Sequence, residues 1–338
     1  MKKIIILSLL TINSLFAQTS EKKIWDLLLQ NKREEAQKLF DKELKSKVDS
    51  NIDYLILQGF IENENGKLVF DSSFLEQFLK TCKQPNYLYP IWYKVFMMDN
   101  ASTNGYNDFT YKKIDLLANS ELFKNDPLVL YNKAICDRNR KNIEGFNANI
   151  KKLNAIEDWQ FCGVFENLND SGIDTEYEPE IYANNDKIFD ANSNGKINWY
   201  NPIDKQNEGY HFFSNETEYG DGIMYSQVFI TSPTDQEVQL NFGTSSSLKI
   251  FVNDVEVYLN NTIEHTDLNS FKLQFKLPKG INRLLIKSAI KSGTNDFFMS
   301  ITDKNMQSIS NLAYSNTYQA YNKTSLNQLE VVEKNPDF

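Results

Sequence analysis

Two periodicities divide the chain. From residue 21 to about residue 160 the apolar positions recur every three or four residues, the spacing of helices that each bury one face. Ile24, Leu27 and Leu28 share one such face, and Ala36, Leu39 and Phe40 share the next. Tyr54, Leu55, Leu57 and Ile61 continue the pattern, followed by Phe74, Leu75, Phe78 and Leu79, by Ile91 to Met98, and by Ile114, Leu117 and Leu122. A last pair runs from Pro127 to Ile135 and from Ile143 to Leu153. The turns inside the first and last pairs are short, Asn31-Lys32-Arg33 and Arg140-Lys141-Asn142. Glu34 and Glu35 fall in a first turn, where carboxylates suit the unpaired backbone N–H groups. Pairs of this kind cannot bury their apolar faces alone, so neighbours must stack, as a solenoid or as a plain bundle.

After Trp159 the helical spacing stops and short alternating segments take over, separated by Gly, Asn, Asp and Pro. Val228 and Ile230 alternate, as do Val238, Leu240 and Phe242, then Leu248, Ile250 and Val252, then Val255 and Val257. Phe271 to Leu277, Leu284 with Ile286, and Phe297, Met299 and Ile301 repeat the pattern. Period two predicts strands with one face in a core, and the intervals are too short for crossover helices, which points to an antiparallel sandwich. Asn253-Asp254 between Val252 and Val255 predicts a two-residue hairpin turn at positive φ. The expected fold class is therefore α+β multidomain, a helical repeat or bundle domain followed by an all-β sandwich.

The ends and the composition refine this division. Lys2 and Lys3 precede an apolar run that closes on Leu15-Phe16-Ala17, a signal-peptide pattern too short for a membrane span. No later run approaches the length of a transmembrane helix, so the expected protein is exported, periplasmic or secreted, and not membrane-spanning. The expected domains are a signal over 1–18, a helical domain over 19–158, the sandwich over 159–308, and a tail over 309–338 with a short helix through Leu326, Leu329, Val332 and Glu333. Net charge is -9, and an acidic chain lacks the field that attracts nucleic acid. Cys82, Cys136 and Cys162 are an odd number and far apart, which favours buried thiols over a disulfide.

Specific runs carry a resemblance. Phe242-Gly243-Thr244-Ser245-Ser246-Ser247-Leu248-Lys249-Ile250-Phe251-Val252-Asn253-Asp254, followed by Leu277-Pro278-Lys279-Gly280-Ile281-Asn282-Arg283-Leu284-Leu285-Ile286-Lys287, resembles the galactose-binding-like jelly rolls, with Asp254 where Gly is usual. Trp25 to Phe40 resembles a divergent tetratricopeptide-like repeat. Trp159 to Asn167, Gly172-Ile173-Asp174 and Tyr177-Glu178-Pro179-Glu180 resemble large exported proteins of the Bacteroidetes, which join helical repeats to this sandwich and often to a transglutaminase-like domain. The resemblance implies a jelly-roll fold and either glycan binding or a structural role.

Candidate chemistry is sparse. Asp190, Asn192, Asn194 and Asn198, with Gly195 between them, match oxygen-donor positions of a hand-type calcium loop. Asn201 stands where the bidentate Glu belongs and the flanks are too short for helices, so a Gly-bearing turn feeding a strand is the competing reading. The histidines, His211 and His265, lie in no His-x-x-x-His pair, and no Gly-x-Ser-x-Gly elbow or Cys-x-x-Cys pair is present. Glu178 and Glu180, split by Pro179, read as an interdomain brace before an acid–base pair. No catalytic residue and no cofactor are assigned. The best binding candidates are aromatic: Trp199, Tyr200, Tyr210, Tyr219 and Tyr225, with His211, either as a sugar-stacking rim or as core. The expected function is a non-catalytic protein-interaction or scaffolding module of the cell envelope, with a protein or peptide partner on the helical domain. The alternatives are a carbohydrate-binding module and the front end of a larger transglutaminase-like or peptidase-like protein.

Overall fold

The computed structural model describes residues 20–92, 106–203, 208–213, 216, 221–263, 266–291, 295–321, 323 and 331–334. The expected signal segment, Tyr219, His265 and most of Ile91 to Met98 lie outside them. The chain divides into two compact units, one up to Phe146 and one from Asn147.

The first unit is helical, as its periodicity predicts. Its elements are α1 over residues 20–29, α2 (Arg33–Glu43), a 3-10 turn (Lys45–Ser50), α3 (Ile52–Glu64), α4 (Ser72–Thr81), α5 over residues 89–92, α6 (Asp108–Ala118), α7 (Pro127–Asn139) and the start of α8 (Ile143–Lys152). Polar caps set the starts. Asn51, Asp71, Asn107 and Asp126 each accept two first-turn backbone N–H groups, and Pro127 follows Asp126 at the position where its missing N–H costs nothing. Leu122, helical by spacing, lies instead in the turn before that cap. Asn31 and Lys141 take positive φ in the two short turns. A chain of rings, Trp25, Phe60, Phe70, Phe74, Phe78 and Phe123, runs through the unit with centroids 4.8–6.3 Å apart. Cys82 and Cys136 are buried, unpaired thiols.

The second unit begins earlier than Trp159. Asn154 Nδ2 donates to the Ile301 carbonyl at 3.1 Å and Ile156 N to the Met299 carbonyl at 2.8 Å, so the chain leaving α8 is already bound to a strand. Two antiparallel sheets follow. One has the order β1 (Gln160–Phe165), β5 (Gly222–Ser232), β10 (Gly280–Ile290), β7 (Ser247–Val252), β8 (Val255–Asn260), with β12 (Ala313–Ser315) also on β5. The other has the order β13 (Val331–Lys334), β9 (Phe271–Leu277), β6 (Gln236–Thr244), β11 (Asp296–Thr302), β4 (Tyr210–Phe212). Residues 331–334 thus form a strand paired with β9, where the sequence reading ends a short helix. The residues expected from alternation meet between the sheets, Val228, Ile230, Leu248, Ile250, Val252, Leu284 and Ile286 against Val238, Leu240, Phe242, Leu273, Phe275, Phe297, Met299 and Ile301. Gly163 is needed for closeness: a Cβ there would lie 2.3 Å from Met224 Sδ and 2.9 Å from the Ile223 carbonyl.

The β7–β8 hairpin closes as predicted, with Val252 opposite Val255 and φ of 52° at Asn253 and 66° at Asp254. Asn253 is also wired to β10, since its Oδ1 accepts from Arg283 N at 2.9 Å and its Nδ2 donates to Asn282 Oδ1 at 2.7 Å. Replacing both turn residues with Val forces two β-branched side chains into left-handed backbone, at about 1–2 kcal/mol each, and removes the buried hydrogen bonds, worth about 1 kcal/mol apiece. Urea denaturation of Asn253→Val/Asp254→Val is expected to show a loss of at least about 3 kcal/mol, whereas a loss under about 1 kcal/mol would contradict the turn assignment.

Candidate binding face

The strands of the first sheet alternate, so residues not in the central core form an outer face: Tyr225, Gln227 and Phe229 of β5, Arg283, Leu285 and Lys287 of β10, and Lys249 and Phe251 of β7. Residues 166–200 lie over this face as a strap made of a 3-10 turn (Leu168–Ile173), the short α9 (Glu178–Ile181) and the hairpin β2 (Phe189–Asp190)–β3 (Lys196–Ile197). Strap and sheet share a second core of Phe165, Ile173, Phe189, Trp199, Ile223, Tyr225, Phe251 and Leu285.

Two buried cations sit in that layer. Arg283 is fully buried: Nε donates to Gln227 Oε1 at 2.9 Å, Nη1 to Asp254 Oδ1 at 3.0 Å and Nη2 to the Pro179 carbonyl at 2.7 Å, with the guanidinium over the Trp199 ring. Lys287 Nζ donates to Glu180 Oε1 at 2.8 Å and to the Thr175 carbonyl, and Tyr225 donates its hydroxyl to the same Glu180 oxygen at 2.6 Å. Burial lowers the pKa of the Lys287 amine and, with Glu180 beside it, raises that of the Tyr225 phenol. Glu178 and Glu180 therefore do not face each other as an acid–base pair. Glu180 is a brace inside the second unit, and Glu178 pairs with Lys187 at 3.1 Å.

Among the described residues, the aromatic candidates do not form a sugar-stacking rim. Trp199 is 2% exposed and donates Nε1 to the Tyr182 carbonyl at 3.0 Å. Tyr210 packs between Phe212 and Phe298, its hydroxyl accepting from Leu268 N at 3.0 Å. His211 is buried among Trp159, Phe161 and Phe297, donates Nε2–H to the Ile156 carbonyl at 2.9 Å, and has its pKa lowered to about 4 by that burial. Tyr225 is covered by the strap, and Tyr200 is half-buried with its backbone paired to Phe161. Alternation puts Tyr210, His211 and Tyr225 on strand faces that neighbouring residues cover. Burial also raises the Cys136 thiol to about 12 and the Cys162 thiol further, so these thiols are poor nucleophiles.

The calcium-loop candidate is the β2–β3 turn. Asp190 accepts from Asn192 N at 3.0 Å and from Lys196 Nζ at 2.7 Å, Asn192 and Ser193 bond Glu166, and Asn194 donates to the Val164 carbonyl at 2.8 Å. Asn198 lies past β3, and Gly195 takes a φ of 83° in the turn. Lys196 holds the place a divalent cation would need, and no group of three His, Cys, Asp or Glu suited to a metal occurs among the described residues.

What the sequence reading missed stands beside the strap. Among the described residues of the second unit, the most exposed aromatic side chains are Tyr182, 45% exposed, and Tyr318, 40% exposed. Tyr182 ends α9 with the Lys187 ammonium 4.6 Å from its ring centre. Tyr318 lies edge-on to Phe229. Lys323 ties the two regions together, donating to the Ile181 carbonyl at 3.1 Å and pairing with Asp254 at 3.2 Å, while Tyr321 donates its hydroxyl to Asp254. The available signal was a Tyr in a polar stretch that belongs to no alternating run, as in Tyr182-Ala183-Asn184-Asn185 and Asn316-Thr317-Tyr318.

Glu180→Ala would leave Lys287 buried without its carboxylate, and the expected loss of stability in urea is about 3–5 kcal/mol. Glu180→Leu/Lys287→Met removes both charges and is expected to recover most of it, and equal losses in the two variants would deny the brace.

No family model matches the sequence, and no curated protein matches it. Among solved structures the chain is similar to a β-glucosidase from Kluyveromyces marxianus, at 11% identity and a TM-score of 0.25, over 30% of this chain and 14% of that one. It is similar to a family 35 carbohydrate binding module from Clostridium thermocellum at 16% identity and a TM-score of 0.21, over 28% of this chain and 88% of the module. A family 35 module from Paenibacillus barcinonensis gives 19% identity and a TM-score of 0.20, over 28% and 90%. The chain thus covers a small part of the β-glucosidase, and likenesses of this size say nothing of what it binds.

Proposed function

We propose that the second unit is a non-catalytic carbohydrate-binding module of an exported protein, with its site on the face marked by Tyr182 and Tyr318. The supporting observation is the placement of these two exposed rings, Tyr182 under the ammonium of the Glu178–Lys187 pair and Tyr318 edge-on to Phe229, with Lys323 bridging Asp254 and the Ile181 carbonyl. A pyranose offers an apolar C–H face and a ring of hydroxyls. Tyrosine supplies a flat apolar surface with few rotatable bonds, and charged side chains supply strong hydrogen-bond partners at its edge.

The test is binding of the full chain to a glycan array and to insoluble polysaccharides. Tyr182→Ala and Tyr318→Ala are each expected to weaken binding about tenfold, equivalent to ~1.4 kcal/mol, with Tm unchanged because the rings are exposed. Binding to no glycan, or full binding by both variants, would refute this placement.

A second reading concerns the first unit, as a docking domain for a protein or peptide. Leu79 of α4, Tyr111, Asp115 and Leu116 of α6, and Arg140 after α7 line an open groove of about 700 Å³. Arg140 lies 4.3 Å from the Tyr111 ring centre and 2.9 Å from Asp115, which leaves polar and apolar surface side by side. A peptide selected on the full chain from a displayed library should lose about tenfold in affinity for Tyr111→Ala. Failure to select any peptide would end this reading.

A further inference from the structure

We infer that the face around Tyr182 and Tyr318 takes a neutral sugar presenting adjacent hydroxyls, and not a uronate or sulfated glycan. This rests on the carbohydrate reading of the same face and adds the class of sugar. Every cation named on this side of the sheet is held against a carboxylate: Lys187 with Glu178 at 3.1 Å, Lys249 with Glu256 at 3.5 Å, Arg283 with Asp254 at 3.0 Å, Lys287 with Glu180 at 2.8 Å and Lys323 with Asp254 at 3.2 Å. Arg283, whose forked donors would best fit a carboxylate or sulfate, is fully buried and already bound to Gln227, Asp254 and the Pro179 carbonyl. Lys287 is 1% exposed and turned onto Glu180. An anionic ligand would have to break one of these pairs and repel the carboxylate it displaced.

A neutral polyol has no such conflict. A hydroxyl both donates and accepts. The Glu178–Lys187 pair sets an acceptor and a donor 3.1 Å apart beside Tyr182, with the ammonium over the ring and side chains 44% and 38% exposed. Of two neighbouring hydroxyls, one donates to the Glu178 carboxylate and the other accepts from the Lys187 ammonium, so both charges keep their pairing while the sugar binds. Lys323, 61% exposed and 3.2 Å from Asp254, adds a donor only, because Asp254 is 16% exposed and its oxygens are taken by Arg283 and Tyr321. The sugar's C–H face then lies on the tyrosine surface that Lys187 leaves open.

The experiment compares the full chain on two neutral polysaccharides, galactomannan and xyloglucan, and two acidic ones, polygalacturonate and heparin. Expected is binding to a neutral polysaccharide that changes less than about twofold between about 20 and 500 mM NaCl. Brief periodate treatment of that polysaccharide, which cleaves adjacent hydroxyls, should abolish binding. Glu178→Gln and Lys187→Met should each weaken it about fivefold or more with Tm unchanged. Tighter binding to polygalacturonate or heparin, falling steeply with salt, would overturn the inference and leave the carbohydrate reading standing. Undiminished binding after periodate would do the same. Binding to none of the four, and to no sugar on an array, would remove both.

Discussion

Arg283 and Lys287 stand four residues apart on one strand, so their side chains rise from the same face of the sheet, and both are withdrawn from water. A lone buried cation is too costly to keep, which means each must be met by oxygen. The strap supplies much of it: Glu180 for Lys287, the Pro179 carbonyl for Arg283, the Thr175 carbonyl for Lys287. Sheet and strap are therefore mutually required. The strap has little regular structure of its own, only short helical turns and a hairpin with two-residue strands, and is held by what it satisfies beneath it and by the apolar contacts of Trp199, Phe189 and Phe165.

Asp254 extends the same logic to the end of the chain. Gly takes the positive φ of such a turn position without strain. Here an Asp accepts the strain, and its carboxylate receives Arg283, Tyr321 and Lys323. The segment after β12 is thereby laid across the Phe229 end of the outer face, with Tyr318 at its surface. The two exposed tyrosines owe their positions to charges buried below them. The ionic layer that anchors the strap also uses up the cations, and this is what makes the surface polar without making it attractive to anions.

Several features are legible in the sequence alone. Periodicity separates helices from strands, alternation marks most core residues of the sandwich, and Asn253-Asp254 marks a left-handed turn, because each depends on neighbours a few residues away. The turn reading of Asp190 to Asn198 had the same basis, since Gly195 and the short flanks are local facts. Leu122 failed because three-and-four spacing continues past a cap that stops the helix. Of the tail helix, Leu326 and Leu329 lie outside the described residues, while Val332 and Glu333 fall in a strand whose backbone partners come from β9, more than fifty residues away.

What the sequence by itself determined was the class of the periodic segments and which side of the alternating strands faces the core, since periods of two and 3.6 are properties of the local backbone. It could not say whether a strand's other face meets water or protein. Trp199, Tyr210 and Tyr225 have the residue type of a sugar platform and were candidates for that reason, but the strap and the neighbouring loops cover them. Tyr182 and Tyr318, which no alternating run marks, are left exposed. That choice belongs to the tertiary structure because it depends on long-range pairs such as Glu180 with Lys287 and Lys323 with Ile181, and no local pattern in the chain encodes them.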